Sequence, residues 1–229
     1  MPKPTILILL ISSFGWANAE VFRIDSVIDF DNVAEFVDPG DTIIWEDGDY
    51  VDVGVEGKFS GLPGAPIRIL AETPGKVRFS GISYHRLKGD YIHIEGLVFD
   101  HDNRTLTWNP THPSADALIE MKGSHSSVRN CEFRAYDRTD ILPDTLPFYY
   151  VRISGRGNLI EYCDLGPKRM SGNLINVEME VEGDGSHRIR NNYLHDFTSP
   201  GAFPADLDTE ALRIGNQNSQ LLASNTLVE

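Results

Sequence analysis

The six residues VRNCEF, at positions 128–133, belong to a motif that occurs five times in this 229-residue chain. The related segments are IEGLVF from Ile94, IEYCDL from Ile160, IRNNYL from Ile189 and LASNTL from Leu222. Their starting positions are separated by 34, 32, 29 and 33 residues. Each segment starts with an aliphatic residue, has a bend-prone residue in third position and ends with an aliphatic or aromatic residue. A period near 30 residues indicates a solenoid.

The repeats contain short β-rich runs separated by turn residues, without a helical pattern. The sequence therefore predicts an all-β protein, a parallel β-helix in which each repeat forms one coil. Because the bend interrupts the alternation of the strand, we expect Val128, Cys131 and Phe133 to point inward. By the same argument Arg129 and Glu132 face solvent.

Two cysteines, Cys131 and Cys163, occupy equivalent positions in neighbouring coils. Stacked strands lie about 4.8 Å apart, so we expect two buried thiols in an internal ladder. A disulfide is the alternative, because that spacing lies within the Cα–Cα range that a disulfide allows. Neither cysteine belongs to a cluster that would indicate a zinc site.

One segment near the N-terminus, SVIDFDNVAEFVDPGD, has the spacing of a helix. Its apolar positions are Val27, Ile28, Val33, Phe36 and Val37. We expect residues 26–37 to form a short helix that caps the coil, since an open solenoid end exposes unpaired backbone. No comparable segment follows the last motif. The sequence thus predicts a β-helix domain over residues 20–229 that is truncated at its C-terminus; capping by a dimer partner is the alternative.

The first 19 residues have the features of a signal peptide. They combine Lys3, a short apolar run and an A-x-A ending, which predicts cleavage before Glu20. The apolar run is shorter than the roughly 20 residues of a membrane span, and no other stretch is long enough. We therefore expect a secreted or periplasmic protein without a membrane span.

The charge of the chain limits its partners. The net charge is −14, and removal of the signal peptide with its single lysine makes it more negative. This charge argues against a nucleic-acid partner and favours cations such as Ca²⁺. A polyanionic substrate would need a local basic cleft.

Several segments in order resemble the family 6 polysaccharide lyases, the group of alginate lyases and chondroitinase B. They are PGDTIIWEDGDYVDVGV, SGLPGAPIRILAETPGKVRFSG, GDYIHIEGLVF, HRIRNNYLHDF and EALRIG. The resemblance implies a right-handed parallel β-helix that cleaves a uronate-containing polysaccharide by β-elimination. Alginate is the first choice of substrate and a dermatan-type glycosaminoglycan the second.

The chemistry that the resemblance implies uses a Ca²⁺, a lysine and an arginine. The Ca²⁺ binds the uronate carboxylate and acidifies the neighbouring proton, the lysine removes that proton, and the arginine helps to protonate the leaving oxygen. The family's E-x-E-x-x-x-x-K segment and its arginine are expected beyond Glu229, so no catalytic residue is assigned here. If the sequence is complete, it lacks this chemistry.

The resemblance implies candidate metal ligands near the C-terminus. The usual asparagine ligand falls on Leu207, which cannot bind Ca²⁺, and Asp206 or Asp208 is expected to replace it. In the family's E-[AT]-[IL]-R-I-G motif, Glu210 matches the acidic residue and Arg213 the arginine. Asp206, Asp208 and Glu210 are thus candidate metal ligands, and Arg213 is a candidate substrate-binding residue. The alternative for each is a solvated or merely structural charge.

The segment GPKRMSGN places Lys168 and Arg169 in a predicted turn between coils. Basic residues there are candidates for contact with a polyanion, and a solvated turn is the alternative. Two other functions remain open at this point. One is a non-catalytic carbohydrate-binding or structural β-helix. The other is a different β-helix enzyme, such as a pectate lyase or a glycoside hydrolase with a carboxylate pair.

Overall fold

The computed structural model describes residues 19–100, 117–134, 148–168, 172–179, 183–197, 211–215 and 225–229. Within these ranges it contains one helix and twenty short strands. In chain order they are β1 (Val21–Ile24), α1 (Val27–Ala34), β2 (Thr42–Trp45), β3 (Gly48–Val51), β4 (Gly54–Lys58), β5 (Ile67–Ala71), β6 (Val77–Ser80), β7 (Tyr84–Lys88), β8 (Ile92–Glu95), β9 (Leu97–Asp100), β10 (Ala117–Lys122), β11 (Ser127–Arg129), β12 (Glu132–Arg134), β13 (Tyr149–Ser154), β14 (Leu159–Glu161), β15 (Asp164–Leu165), β16 (Ile175–Val177), β17 (Arg188–Arg190), β18 (Tyr193–Leu194), β19 (Leu212–Ile214) and β20 (Leu227–Val228). No helix in these ranges is long and apolar enough to cross a membrane.

The strands form three parallel sheets. Their orders are β1-β2-β5-β8-β11-β14-β17-β20, β3-β6-β9-β12-β15-β18 and β4-β7-β10-β13-β16-β19. From β2 onward, consecutive strands of the chain belong to different sheets, and each strand pairs with its equivalent one coil away. The predicted right-handed parallel β-helix is confirmed; a right-handed path is the one that twisted parallel strands favour.

The register of the first four motifs is confirmed. Ile94 pairs with Val128, Val128 with Ile160, and Ile160 with Ile189. The fifth assignment is wrong, because Ile189 pairs with Val228 and not with Leu222. The last connection is therefore six residues longer than the motif suggested.

The third position of each of these four motifs has a left-handed backbone. The φ angle is 83° at Gly96, 50° at Asn130, 57° at Tyr162 and 55° at Asn191. Glycine and asparagine tolerate this region, whereas tyrosine does so at a cost. The bend turns the chain from the eight-stranded sheet into the next sheet, and it explains the interrupted alternation.

The interior is a set of in-register ladders. Phe79, Phe99 and Phe133 stack with ring centroids 5.4 Å apart at each step. Val128, Cys131 and Phe133 are buried as predicted, and Arg129 and Glu132 are partly exposed. Equivalent positions hold similar side chains because each residue packs on its own counterpart one coil away.

The two cysteines are free thiols inside the coil. Burial raises the pKa of the Cys131 thiol well above its usual value, and the neighbouring Cys163 raises it further. The structure thus agrees with the expectation of two buried thiols rather than a disulfide.

Helix α1 covers the N-terminal end of the coil, as predicted. The side-chain oxygen of Ser26 accepts a hydrogen bond from the backbone N–H of Asp29 at 3.2 Å, which is an N-cap. The anchor is Phe30, which is fully buried with its ring stacked 6.3 Å from that of Trp45. Ile28 and Phe36 were expected on the apolar face, but they are 68% and 71% exposed. The helix is shorter than expected, and the apolar stripe that packs against the coil is narrower than expected.

The left-handed backbone of Tyr162 leads to a prediction about stability. Replacement Tyr162→Asn should raise the free energy of unfolding by about 1 kcal/mol, because asparagine adopts the left-handed region at lower cost. Tyr162→Ala removes the same exposed ring without that benefit and is the matched control. Urea unfolding of the three proteins measures the difference; equal stability of the two variants would contradict the interpretation.

The buried thiols generate a second prediction. In the native protein Cys131 and Cys163 should react slowly with a thiol reagent, since burial disfavours the reactive thiolate. In denaturant without reductant, both should react at once. A protein that shows no free thiol until a reductant is added would contain the disulfide instead.

Candidate functional site

The outward surface of the sheet β4-β7-β10-β13-β16-β19 carries a row of five charged residues and one asparagine, and we call this surface the charged face. Pairing places the following side chains in one row across the six strands: Glu56, Arg86, Glu120, Arg152, Asn176 and Arg213. Neighbours in the row are about 4.8 Å apart. On the strands β4 to β16 the flanking residues are buried in the core, as the alternation of a strand requires.

Glu120 is the centre of this row. Its carboxylate lies 2.8 Å from Nε of Arg86, 3.4 Å from Nη1 of Arg152 and 3.5 Å from Nζ of Lys122. Its side chain is only 8% exposed. An ionised carboxylate at this depth requires such cationic partners, because desolvation of an unpaired charge is costly.

The outer members of the row are also paired. Nη1 of Arg86 lies 3.2 Å from Glu56, and Arg152 forms a further ion pair with Glu178. The carboxylate of Glu56 accepts a hydrogen bond from the hydroxyl of Tyr84 at 3.1 Å. From Glu56 to Arg152, charges that alternate in sign in consecutive coils therefore hold one another in place.

Arg213 lies at the C-terminal end of the row. Its strand β19 pairs with β16 and brings Arg213 beside Asn176. Its Nε donates a hydrogen bond to the backbone oxygen of Gly215 at 3.3 Å. Of the two sequence-predicted site residues that the structure describes, Lys168 and Arg213, it is Arg213 that lies on the charged face.

Lys168 lies between β15 and β16, and its environment differs from the predicted surface turn. The side chain is fully buried, and its ammonium donates a hydrogen bond to the backbone oxygen of Gly172. Nζ also lies 5.7 Å from the centre of the Phe197 ring. Burial lowers the pKa of Lys168 to about 7. The alternative of a solvated side chain is wrong for Lys168, because this side chain is buried. Its candidate role in contact with a polyanion stays a prediction.

The remaining predicted site residues, Arg169, Asp206, Asp208 and Glu210, lie outside the described residues. Within the described ranges no group of three His, Cys, Asp or Glu side chains is arranged to hold a metal ion.

A second charged cluster lies on a different sheet. Nε2 of His195 is 2.8 Å from Asp164 and its Nδ1 is 2.9 Å from Asp196. The hydrogen bond with Asp196, followed by that with Asp164, raises the pKa of His195. The Tyr193 ring stacks on the imidazole at 4.5 Å. This cluster shares no strand with the charged face.

The charged row was not predicted from the sequence, although a signal exists. Its first four members, Glu56, Arg86, Glu120 and Arg152, are separated by 30, 34 and 32 residues. These are the repeat intervals of the coil. A search for charges recurring at the solenoid period would have found the row.

The family model of chondroitinase B matches residues 24–229. The chain belongs to the chondroitinase B family. This match spans all three sheets, the charged face and the segment with the predicted metal ligands.

Solved structures agree with this assignment. The family 6 alginate lyase AlyGC is 27% identical with a TM-score of 0.74; the alignment covers 90% of this chain and 27% of that chain. A mannuronic acid specific family 6 lyase from human gut microbiota is 24% identical with a TM-score of 0.69, and the coverage is 91% and 47%. Pectate lyase Pel9A shares the fold at 15% identity and a TM-score of 0.55, covering 92% of this chain and 58% of that chain. Comparison with curated protein sequences gave no match.

This chain spans only part of the length of these enzymes, about a quarter of AlyGC and about half of the gut enzyme. The fold and the family apply to the chain itself.

The buried ammonium generates a prediction about pH. The unfolded chain keeps a proton on Lys168 up to about pH 10.5, whereas the folded protein loses it near pH 7. Between these values the unfolded state binds more protons, so this group makes the free energy of unfolding rise with pH, by up to about 1.4 kcal/mol per unit. Lys168→Met should abolish this contribution to the slope.

The control for this experiment is Lys76→Met, which removes the same charge from a side chain that is 67% exposed. Urea unfolding at several pH values between 6 and 10 gives the slope for each protein. The interpretation fails if Lys168→Met and the wild type have parallel profiles.

Proposed function

We propose that this protein is an exported polysaccharide lyase that cleaves a uronate-containing polysaccharide by β-elimination, with alginate as the substrate. The observation that carries the proposal is the family match over residues 24–229, together with a charged face that ends at Arg213. Several structural neighbours are alginate lyases, one of them in complex with a trisaccharide. Residues 1–19 would direct export as a signal peptide.

The reaction requires positive charge beside the uronate carboxylate. Removal of the adjacent proton delocalises negative charge onto that carboxylate, and fixed cationic groups lower the energy of this state. We assign Arg213 to hold the carboxylate, because a guanidinium binds a carboxylate through two parallel hydrogen bonds. Asn176, its neighbour in the row, offers an amide to the sugar from the same side of the sheet.

We also propose that the site takes Ca²⁺. Asp206, Asp208 and Glu210 provide the hard oxygen ligands that Ca²⁺ prefers, and the segment that contains them leads directly into β19. A bound Ca²⁺ would add positive charge at the substrate carboxylate without proton transfer. The basic and acidic catalytic groups are not assigned to residues of this chain.

The test is the ultraviolet absorbance of the double bond that β-elimination creates. Alginate, dermatan sulfate and polygalacturonate should be compared, each with and without a chelator, using the 229-residue chain and any longer reading frame that contains it. We expect turnover of alginate that the chelator abolishes and added Ca²⁺ restores. Arg213→Ala should lower kcat/KM by about 100-fold, because it removes a charge from the reacting carboxylate; Arg213→Lys should retain part of the activity.

Other outcomes would identify a different function. Binding of alginate without product formation by any form of the protein would favour a carbohydrate-binding module. Turnover of polygalacturonate alone would indicate a pectate-lyase-like enzyme. Products without a new double bond would indicate hydrolysis and contradict the proposal.

A further inference from the structure

Three lysines form a second row on the charged face. Register pairs Lys58 of β4 with Lys88 of β7, and Lys88 with Lys122 of β10. They lie two residues after the glutamate–arginine row and therefore point to the same side of the sheet. Lys58 and Lys88 are exposed and Lys122 is partly exposed.

The three lysines repel one another, which destabilises this part of the sheet. Like charges placed directly opposite each other on neighbouring strands, about 4.8 Å apart, repel. The adjacent row avoids this problem on the same three strands by alternating Glu56, Arg86 and Glu120. Lys122 lies near Glu120 at 3.5 Å. In the described part of the chain, no carboxylate pairs with Lys58 or Lys88.

Protection of a sheet edge does not explain the row. An exposed edge strand often carries lysine to prevent aggregation, but of the three strands that carry these lysines only β4 is at an edge of the sheet. Lys88 and Lys122 lie on interior strands. In a chain with a net charge of −14, three stacked cations on one face concentrate positive potential where the rest of the protein is negative.

We propose that Lys58, Lys88 and Lys122 form an extended subsite that binds the uronate polymer at a distance from the reaction centre. The inference rests on the proposed function. The polymer would lie across the strands, along the axis of the coil, so that its carboxylates meet successive lysines.

The geometry of the coil sets the reach of this subsite. Lys122 is three strands from Arg213 and Lys58 is five strands away, which corresponds to about 14 and about 24 Å at 4.8 Å per strand. A short oligosaccharide held at Arg213 does not extend to the lysines, whereas a polymer does. The lysines should therefore influence affinity for long substrates and leave the chemical step unchanged.

The experiment compares two triple variants with the same change in charge. One is Lys58→Gln, Lys88→Gln and Lys122→Gln. The control is Arg68→Gln, Lys76→Gln and Arg78→Gln, whose side chains are exposed on the other two sheets or the turn between them. Circular dichroism and thermal unfolding establish that both fold. The lysine variant should fold with a stability close to that of the wild type, because the repulsion lost among the lysines offsets the loss of the Lys122–Glu120 ion pair.

Binding is measured by affinity electrophoresis in gels that contain alginate, with a neutral glucan as reference. The lysine variant should bind alginate about ten-fold more weakly, since it removes three exposed ion pairs that each contribute a small part of the affinity. The control should change much less, and the difference should disappear at high salt because exposed charges are screened. If the lysine variant and the control bind alginate equally, the subsite does not exist.

Kinetics separate this inference from the proposed function. For an active protein, the lysine variant should raise KM for polymeric alginate several-fold and leave kcat on short oligosaccharides unchanged. Cleavage by the wild type with no effect of the lysine variant would overturn the subsite alone. Lysine-dependent binding without cleavage would support the subsite and overturn the lyase. A wild type that neither binds nor cleaves alginate would overturn both.

Discussion

The structure depends on in-register stacking of parallel strands. Each strand satisfies its backbone hydrogen bonds only through the coils before and after it, so every residue lies on its own counterpart at a spacing of about 4.8 Å. Inside the coil, this constraint favours the same type of side chain at equivalent positions of successive coils. The Phe79, Phe99 and Phe133 rings stack on one another, and the two cysteines occupy equivalent buried positions.

The same constraint organises the charges outside the coil. A charged side chain in one repeat must be accommodated by the residue at the same position in the next. On the eight-stranded sheet, Glu161 lies between Arg129 and Arg190, with Arg190 Nε at 2.7 Å. On the charged face, Glu120 lies between Arg86 and Arg152. The lysine row departs from this alternation, which is the reason for assigning it a ligand.

The sequence motifs predicted a large part of this architecture because the bend position has a demanding backbone. One position in each coil has a left-handed backbone, which favours glycine or asparagine, as at Gly96 and Asn130. These residue types therefore recur with the period of the coil, and the recurrence can be seen in a single sequence. The register failed at the last repeat because LASNTL has the composition of the motif, whereas the strand that pairs with β17 is Leu227–Val228. When two nearby segments both have the composition of a strand, composition alone does not show which of them pairs, and so it does not give the length of the connection.

The site was predicted less completely than the fold. The EALRIG segment indicated Arg213, and the structure sets it at the end of the charged face. The segment GPKR looked like a solvated turn, yet the side chain of Lys168 is buried against Phe197. Local sequence reports the tendency of a segment to turn, but it does not report what the turn packs against.

The amino-acid sequence by itself determined the β-helix, the inward and outward positions of its strands, the capping helix and the family. These features repeat along the chain or depend on neighbouring residues. Only the tertiary structure decided which charges share a face, because Lys58, Lys88 and Lys122 become neighbours through stacking of coils about thirty residues apart. It also decided the burial of Lys168, which contacts Phe197 of the next coil as well as the backbone oxygen of Gly172 in its own connection.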